Sequence, residues 1–292
     1  MKLGRYKIMI TGKTKVAGVI GHPIEHSMSP PMHNNAYKQL NMDYVYVAFH
    51  VLPEDIGELI KSSKVLGIQG LNVTIPHKTT VIPYLDEIDE TAEKIGAVNT
   101  IQFKDGIAKG YNTDGIGAIK SIQQYTALKG KDVLIVGAGG ASKAIAFTLI
   151  NEKIKSLTIA NRSKENAQKL IDNIKKQTTF EKIGYQPINE ADEIIGDVDI
   201  IINTTPIGMY PKHEVEPPIK TDKITDKHIV MDIIYNPLET ELLKQSRLNG
   251  ATTINGTSML INQGLVSFEI FTGRKASYES FEEALLEQLN KG

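Results

Sequence analysis

The sequence contains no cysteine and no tryptophan. Without cysteine there is no disulfide, no thiolate nucleophile and no thiolate metal ligand, which suits a reducing compartment and leaves the chemistry to oxygen and nitrogen groups. A charge excess is missing as well. Thirty-three basic residues stand against 34 acidic ones for a net charge of −1, and no basic block of the kind that tracks a phosphate backbone occurs, so nucleic acid is not an expected partner. Long apolar runs are also absent. No stretch approaches the roughly 18 residues of a membrane span, and the apolar triplet within the basic "MKLGRYKIMITGKTK" is too short for a signal peptide. The expectation is a soluble, cytoplasmic protein that does not engage a membrane.

What the chain does have is length and alternation. Its 292 residues, 41% hydrophobic, suffice for about two domains with their own cores. The strand-like runs "KVAGVI", "DYVYVAF", "GLNVTI" and "VNTIQF" alternate with the helix-like "PPMHNNAYKQL" and "PEDIGELIKSSK", a pattern of α/β architecture. The Asp-Gly pair in "FKDGIAKG" predicts a hairpin that closes the first region near Gly110. Beyond it, "TDGIGAIKSIQQY" has the spacing of an amphipathic helix. The apolar runs of "KDVLIVGAGGASKAIAFTLI", "SLTIANRS", "VDIIINTTPIG" and "HIVMDIIYNP" then read as buried strands ending in turn residues on one edge of a parallel sheet, where open α/β folds bind ligands. "SMLINQGLVSFEIFTG" and "YESFEEALLEQLN" are expected to be helical.

Several residues in this frame carry chemistry. Gly137-Ala138-Gly139-Gly140-Ala141-Ser142 joins a buried strand to a helix, as a dinucleotide fold requires for a tight turn and close approach to pyrophosphate; Ser142 stands in for the third glycine. A glycine-rich turn without a ligand has the same pattern. The second strand ends in Asn161-Arg162-Ser163-Lys164 rather than in the carboxylate that binds an NAD ribose, and a guanidinium suits a 2′-phosphate, so NADP(H) is the expected cofactor. Read as a surface charge at a helix start, Arg162 would carry no such meaning.

In the first region, Leu71-Asn72-Val73-Thr74-Ile75 alternates like a half-buried strand that Pro76 stops, with Asn72 and Thr74 on one polar face and Lys78 just beyond. A lysine in such a place is either a solvated charge or a functional group. Ser27 and Ser29 precede a helix expected to start around Pro30 or Pro31, so they either cap it or bind an anion. Asn99 and Asp114 lie in "AVNTIQF" and "GYNTDG". Asp114 sits at the domain junction, where it faces a cleft or caps the next helix. His22, His26 and His33 do not make a metal site: Pro23 breaks the helix that would align the first two, and His50, His77, His213 and His228 form no ligand pattern.

Together, "HSMSPPMHN", "NVTIPHK", "AVNT", "NTDG", "GAGGAS", "NRS", "TPIGM", "DIIYNP" and "MLINQG" resemble, in order and spacing, the shikimate dehydrogenase family over nearly the full length. The resemblance implies NADPH-dependent, reversible reduction of 3-dehydroshikimate to shikimate in aromatic biosynthesis. It also implies two α/β domains with a cleft between them. One is a mixed-sheet substrate domain over residues 1–112, completed by helices 263–292; the other is a Rossmann-like NADP-binding domain over 113–262. Carried onto this sequence, it makes Lys78 and Asp114 the catalytic pair and sets the substrate among Ser27, Ser29, Asn72, Thr74, Asn99, Asp114, Tyr235 and Gln263. Gly137, Ala138, Gly139, Gly140 and Ala141 fall to the pyrophosphate, Asn161, Arg162, Ser163 and Lys164 to the adenosine phosphate, and Ile233, Gly256 and Met259 to the nicotinamide end. No metal is implied, and the oligomer is a monomer or homodimer. The family's second basic residue, three positions after the serine of "NRS", is here Asn166, with Lys164 as the neighbouring cation. Two other readings compete: a quinate/shikimate dehydrogenase using NAD, and a non-catalytic NADP-binding sensor on the same fold.

Overall fold

The computed structural model describes residues 10–290; the expectation drawn from the basic N-terminal segment falls mainly on residues 1–9, outside the described residues. The chain divides into two compact units, one running up to Thr113 and resuming at Gly264, the other spanning Asp114–Gln263. In order, the first unit holds β1 (Lys15–Gly21), α1 (Ser29–Gln39), β2 (Tyr44–His50), α2 (Ile56–Val65), β3 (Gly70–Val73), β4 (Glu87–Ile88), α3 (Glu90–Ile95), β5 (Thr100–Lys104) and β6 (Ile107–Tyr111). The second begins with α4 (Asp114–Gln123), β7 (Asp132–Val136), α5 (Gly140–Asn151), β8 (Ser156–Asn161) and α6 (Lys164–Gln177). It continues with β9 (Ile183–Pro187), β10 (Ile200–Asn203), β11 (Ile229–Asp232), α7 (Glu241–Leu248) and β12 (Thr252–Ile254). Helix α8 (Gly256–Thr272) contains the unit boundary, and α9 (Tyr278–Leu289) closes the chain.

The first sheet is mixed, in the order β2-β1-β3-β5-β6-β4. Strands β1, β2 and β3 run parallel, and β3–β5 and β5–β6 are antiparallel. The β5–β6 hairpin turns at Asp105 and Gly106, with φ of 52° and 79°, the two left-handed positions of a type I′ turn. The half-buried reading of residues 71–75 is corrected here. Strand β3 ends at Val73, every residue in it is buried, and Thr74 lies beyond the strand rather than sharing a face with Asn72. Asn72 is inward because hydroxyl and amide partners satisfy it, which local alternation cannot reveal. Helix α1 likewise begins at Ser29, ahead of both prolines; with Ser29 as the first helical residue, Pro30 and Pro31 fall within the first turn, where a missing N–H costs nothing.

The second sheet is wholly parallel, β12-β11-β10-β7-β8-β9, the doubly wound order of a Rossmann-like fold. Val133 to Val136 of β7 are fully buried, as a central parallel strand covered on both faces must be. Helix α4 packs closely on its neighbours through small residues. A Cβ on Gly115 would meet the Ala144 carbonyl at 2.5 Å, and one on Gly117 the Met259 carbonyl at 2.8 Å. This fixes the start of α4, and with it the backbone of Asp114. Among the described residues no helix is long and apolar enough to cross a membrane.

Candidate active site

In the first unit, a buried polar chain links many of the residues singled out by the sequence. It starts at Tyr46, whose burial holds the phenol well above its usual pKa and so protonated. That hydroxyl donates to Asn72 Oδ1 at 2.6 Å. Asn72 Nδ2 donates to Ser267 Oγ at 2.8 Å and to Thr100 Oγ1 at 3.1 Å. Thr100 Oγ1 in turn donates to Asn99 Oδ1 at 3.0 Å. Asn99 is locked onto Thr113 from both ends of its amide: Nδ2 donates to Thr113 Oγ1 at 3.0 Å, and Oδ1 accepts from the Thr113 N–H at 2.8 Å. A buried network whose members are satisfied holds its side chains in one arrangement, because rotating any of them would leave a polar atom unpaired.

Lys78 belongs to the turn that follows β3. This turn is tied at each end: the His77 N–H donates to Thr74 O at 2.9 Å, and the Val98 N–H donates to Lys78 O at 2.8 Å. His77, fully buried, places Nε2 2.8 Å from Val51 O. The Lys78 backbone is thus fastened to the residue preceding Asn99, and its side chain is half-buried. Ser27 is half-buried, and its Oγ accepts from the Ser29 N–H at 3.3 Å. Among the described residues no group of three or more His, Asp or Glu side chains is placed to hold a metal ion. His22 and His50 instead stack, 4.7 Å between ring centroids.

The second unit carries Asp114, Tyr235 and Gln263. Asp114 is the first residue of α4. Tyr235 is half-buried, and its burial pushes the phenol pKa up, keeping it a donor. Gln263 Nε2 donates to Leu260 O at 2.9 Å. The turn after β7 has the form a pyrophosphate needs. Gly137 has φ of +111°, and a Cβ there would meet Thr204 Oγ1 at 2.5 Å, whereas Cβ atoms on Gly139 and Gly140 would enter open space. That open space is the cradle in which a side chain would displace a phosphate. Ser142 is fully buried and bonds Thr204 Oγ1 at 2.6 Å, filling the close-packed place of the third glycine.

At the end of β8, Asn161 Nδ2 donates to Ser163 O at 2.8 Å and Ser163 Oγ caps α6 through the Asn166 N–H. Arg162 is exposed between them. Gly256 packs on the segment after β11, where a Cβ would lie 2.1 Å from Ile233 O, and Met259 is buried one turn along α8. Asp232 braces that segment. It is fully buried and accepts from Asn203 Nδ2, the Ile234 N–H and Thr240 Oγ1, while burial raises its pKa.

Sequence reasoning passed over Tyr46, Thr100, Thr113 and Ser267. Thr100 and Thr113 stand inside the "AVNT" and "NTDG" stretches, where only Asn99 and Asp114 were singled out, so a signal existed. For Ser267, in a mostly apolar helix, none did.

Comparison with known proteins decides the family. The model described as "Shikimate dehydrogenase substrate binding domain" matches residues 19–101, "Shikimate / quinate 5-dehydrogenase" matches 119–242 and "Shikimate 5'-dehydrogenase C-terminal domain" matches 256–286. The chain belongs to the shikimate dehydrogenase family. Within this family it is 73% identical over 281 residues to the shikimate dehydrogenase (NADP(+)) of Methanosphaera stadtmanae, covering 96% of this chain and 99% of the relative. It is 50% identical over 285 residues to that of Methanocaldococcus jannaschii, covering 97% of this chain and 100% of the relative. A solved shikimate dehydrogenase in complex with NADP+ superposes with a TM-score of 0.90 at 49% identity, over 96% of this chain and 97% of the other.

Proposed function

We propose that this shikimate dehydrogenase family member is an NADP-dependent oxidoreductase that interconverts 3-dehydroshikimate and shikimate. One observation carries the reading: the Tyr46–Asn72–Thr100–Asn99–Thr113 chain of neutral donors and acceptors, built into the unit that also presents Lys78. Such a network holds Asn72 and Asn99 in one orientation, and fixed neutral donors and acceptors in the unit that carries Lys78 suit a small ring rich in hydroxyls.

NADPH, when bound, supplies the hydride that reduces the ketone. Lys78 donates the proton required by the oxygen of the reduced carbonyl, and takes it back in the reverse direction. Asp114 binds a substrate hydroxyl. Ser27, Ser29 and Tyr235 hold the substrate carboxylate through neutral donors, and Asn72, Asn99, Thr74 and Gln263 read the ring hydroxyls. The turn from Gly137 to Ala141 receives the pyrophosphate, Asn161 to Lys164 receive the adenosine end, and Ile233, Gly256 and Met259 shape the nicotinamide end. The enzyme works in the cytoplasm as a monomer or homodimer.

Initial rates with shikimate and with quinate, each with NADP+ and NAD+, test this. The expected result is turnover on shikimate with NADP+ that exceeds the other three combinations. Comparable rates on quinate with NAD+ would make it a quinate/shikimate enzyme, and no turnover in any combination would leave a binding protein. Arg162→Ala is expected to weaken NADP+ by about 10- to 100-fold, the worth of one charge-assisted contact, and NAD+ much less; an equal loss for both would remove the phosphate role.

A further inference from the structure

The turn after β7 and the first turns of α5 and α6 border a cavity of about 340 Å³, whose lining includes Gly139, Gly140, Lys143, Asn166, Lys169 and Asn173. No carboxylate lines it. The two lysines differ. Lys169 already has a counter-ion, Glu165 Oε1 at 2.7 Å. Lys143, half-buried in the second turn of α5, makes no ion pair or hydrogen bond through its ammonium with any described residue. Burial lowers its pKa, and an anion entering the cavity would favour the charged form again.

The shape of the cavity says which anion. Its walls come from the glycine turn, assigned above to the pyrophosphate, and from α6, which continues from the Asn161–Lys164 segment assigned above to the adenosine phosphate. A cation without a partner, amide donors and no acid form a receptor for a phosphate monoester dianion. The strand end holds one exposed guanidinium, Arg162, and the next candidate cation, Lys164, has its ammonium 6.0 Å above the Tyr185 ring. We propose that Lys143 is a cofactor-specificity residue whose ammonium, reaching from α5 across this cavity, binds the 2′-phosphate of NADP together with Arg162. The assignment rests on the dinucleotide reading of the second unit. It adds a residue of α5 to Arg162 as a discriminator against NAD.

Calorimetric titration of the whole protein with NADP+, NAD+, 2′,5′-ADP and 5′-AMP tests the idea without recourse to turnover. Lys143→Ala is expected to raise the Kd for NADP+ and for 2′,5′-ADP about tenfold or more, and to leave NAD+ and 5′-AMP within about twofold. Adding Asn166→Arg to that variant should recover most of the NADP+ affinity by supplying a cation from the opposite wall. Equal weakening of NADP+ and NAD+ would assign Lys143 to the pyrophosphate or to packing and overturn the proposal, as would unchanged NADP+ affinity. Wild-type protein that binds none of the four would overturn the cofactor reading as well. Wild-type binding of NADP+ with an indifferent Lys143→Ala variant would overturn only the role of Lys143.

Discussion

Lys78→Ala is expected to lower kcat for shikimate oxidation by about 10² to 10⁴, with a smaller change in KM, the signature of removing a group that moves a proton in the transition state. The asymmetry follows from the architecture. The polar chain through Asn72, Asn99 and Thr113 is complete without Lys78, and the turn that carries the lysine is tied through its backbone at Thr74 and Val98. Truncating the side chain therefore leaves the surface that reads the substrate in place. Steady-state kinetics with both substrates varied checks this; a near-normal kcat would take Lys78 out of the chemistry, and a loss confined to KM would make it a binding residue.

The second large effect concerns stability. His33 is fully buried in an aromatic box, stacked 4.1 Å from the Tyr46 ring and edge-on to Phe281 at 5.0 Å. Neither ring nitrogen has a hydrogen-bond partner. Burial brings its pKa from 6.5 down to about 3, so the folded protein holds it neutral while the unfolded chain takes up a proton below pH 6.5. The stabilisation is full above that value and is lost as the pH falls toward 3, at 1.36 kcal/mol per unit: about 2 kcal/mol at pH 5 and about 5 kcal/mol over the whole interval. His33→Phe, which keeps an aromatic ring and removes both unpaired nitrogens, should abolish this part of the acid sensitivity. Denaturant unfolding at pH 7.5 and pH 5 is expected to show the variant gaining on the wild type by about 2 kcal/mol between the two. A difference that does not change with pH would mean that the buried imidazole does not titrate as described.

Legibility of the fold in the sequence depended on whether a pattern was local. Strands β7, β8, β10 and β11 were visible because a parallel strand covered on both faces is a run of apolar residues that must stop at a turn. Asp105-Gly106 was visible because only such residues tolerate two left-handed positions. Strand β3 was misread for the opposite reason: Asn72 looks like a solvent-facing position in a five-residue window, and only Ser267, brought in by a helix 195 residues later, makes it an inward one. Strands β9 and β12 and helix α7 lacked distinctive boundaries, since tertiary context sets short elements at the sheet edges.

The candidate site divides in the same way. Motifs that need a special backbone, the glycine turn and the Asn-Arg-Ser strand end, announced themselves. Hydroxyls that act only as partners of other buried groups, Thr100 and Ser267 above all, did not, because a serine or threonine has no local signature when its work is to satisfy an amide from a distant element. Lys143 was hidden for a related reason. On a helix a lysine is usually a solvated charge, and only the cavity with its missing counter-ion sets this one apart.

The role of Lys78 as the proton donor of this dehydrogenase is decided by the absorbance of the nicotinamide band after mixing shikimate and NADP+ with the wild-type protein and, in parallel, with Lys78→Ala. Absorbance should rise as NADPH forms with the wild type and at least a hundredfold more slowly with the variant, although both bind the cofactor alike. A flat trace with the wild type, or equal rates for the two proteins, would contradict that role.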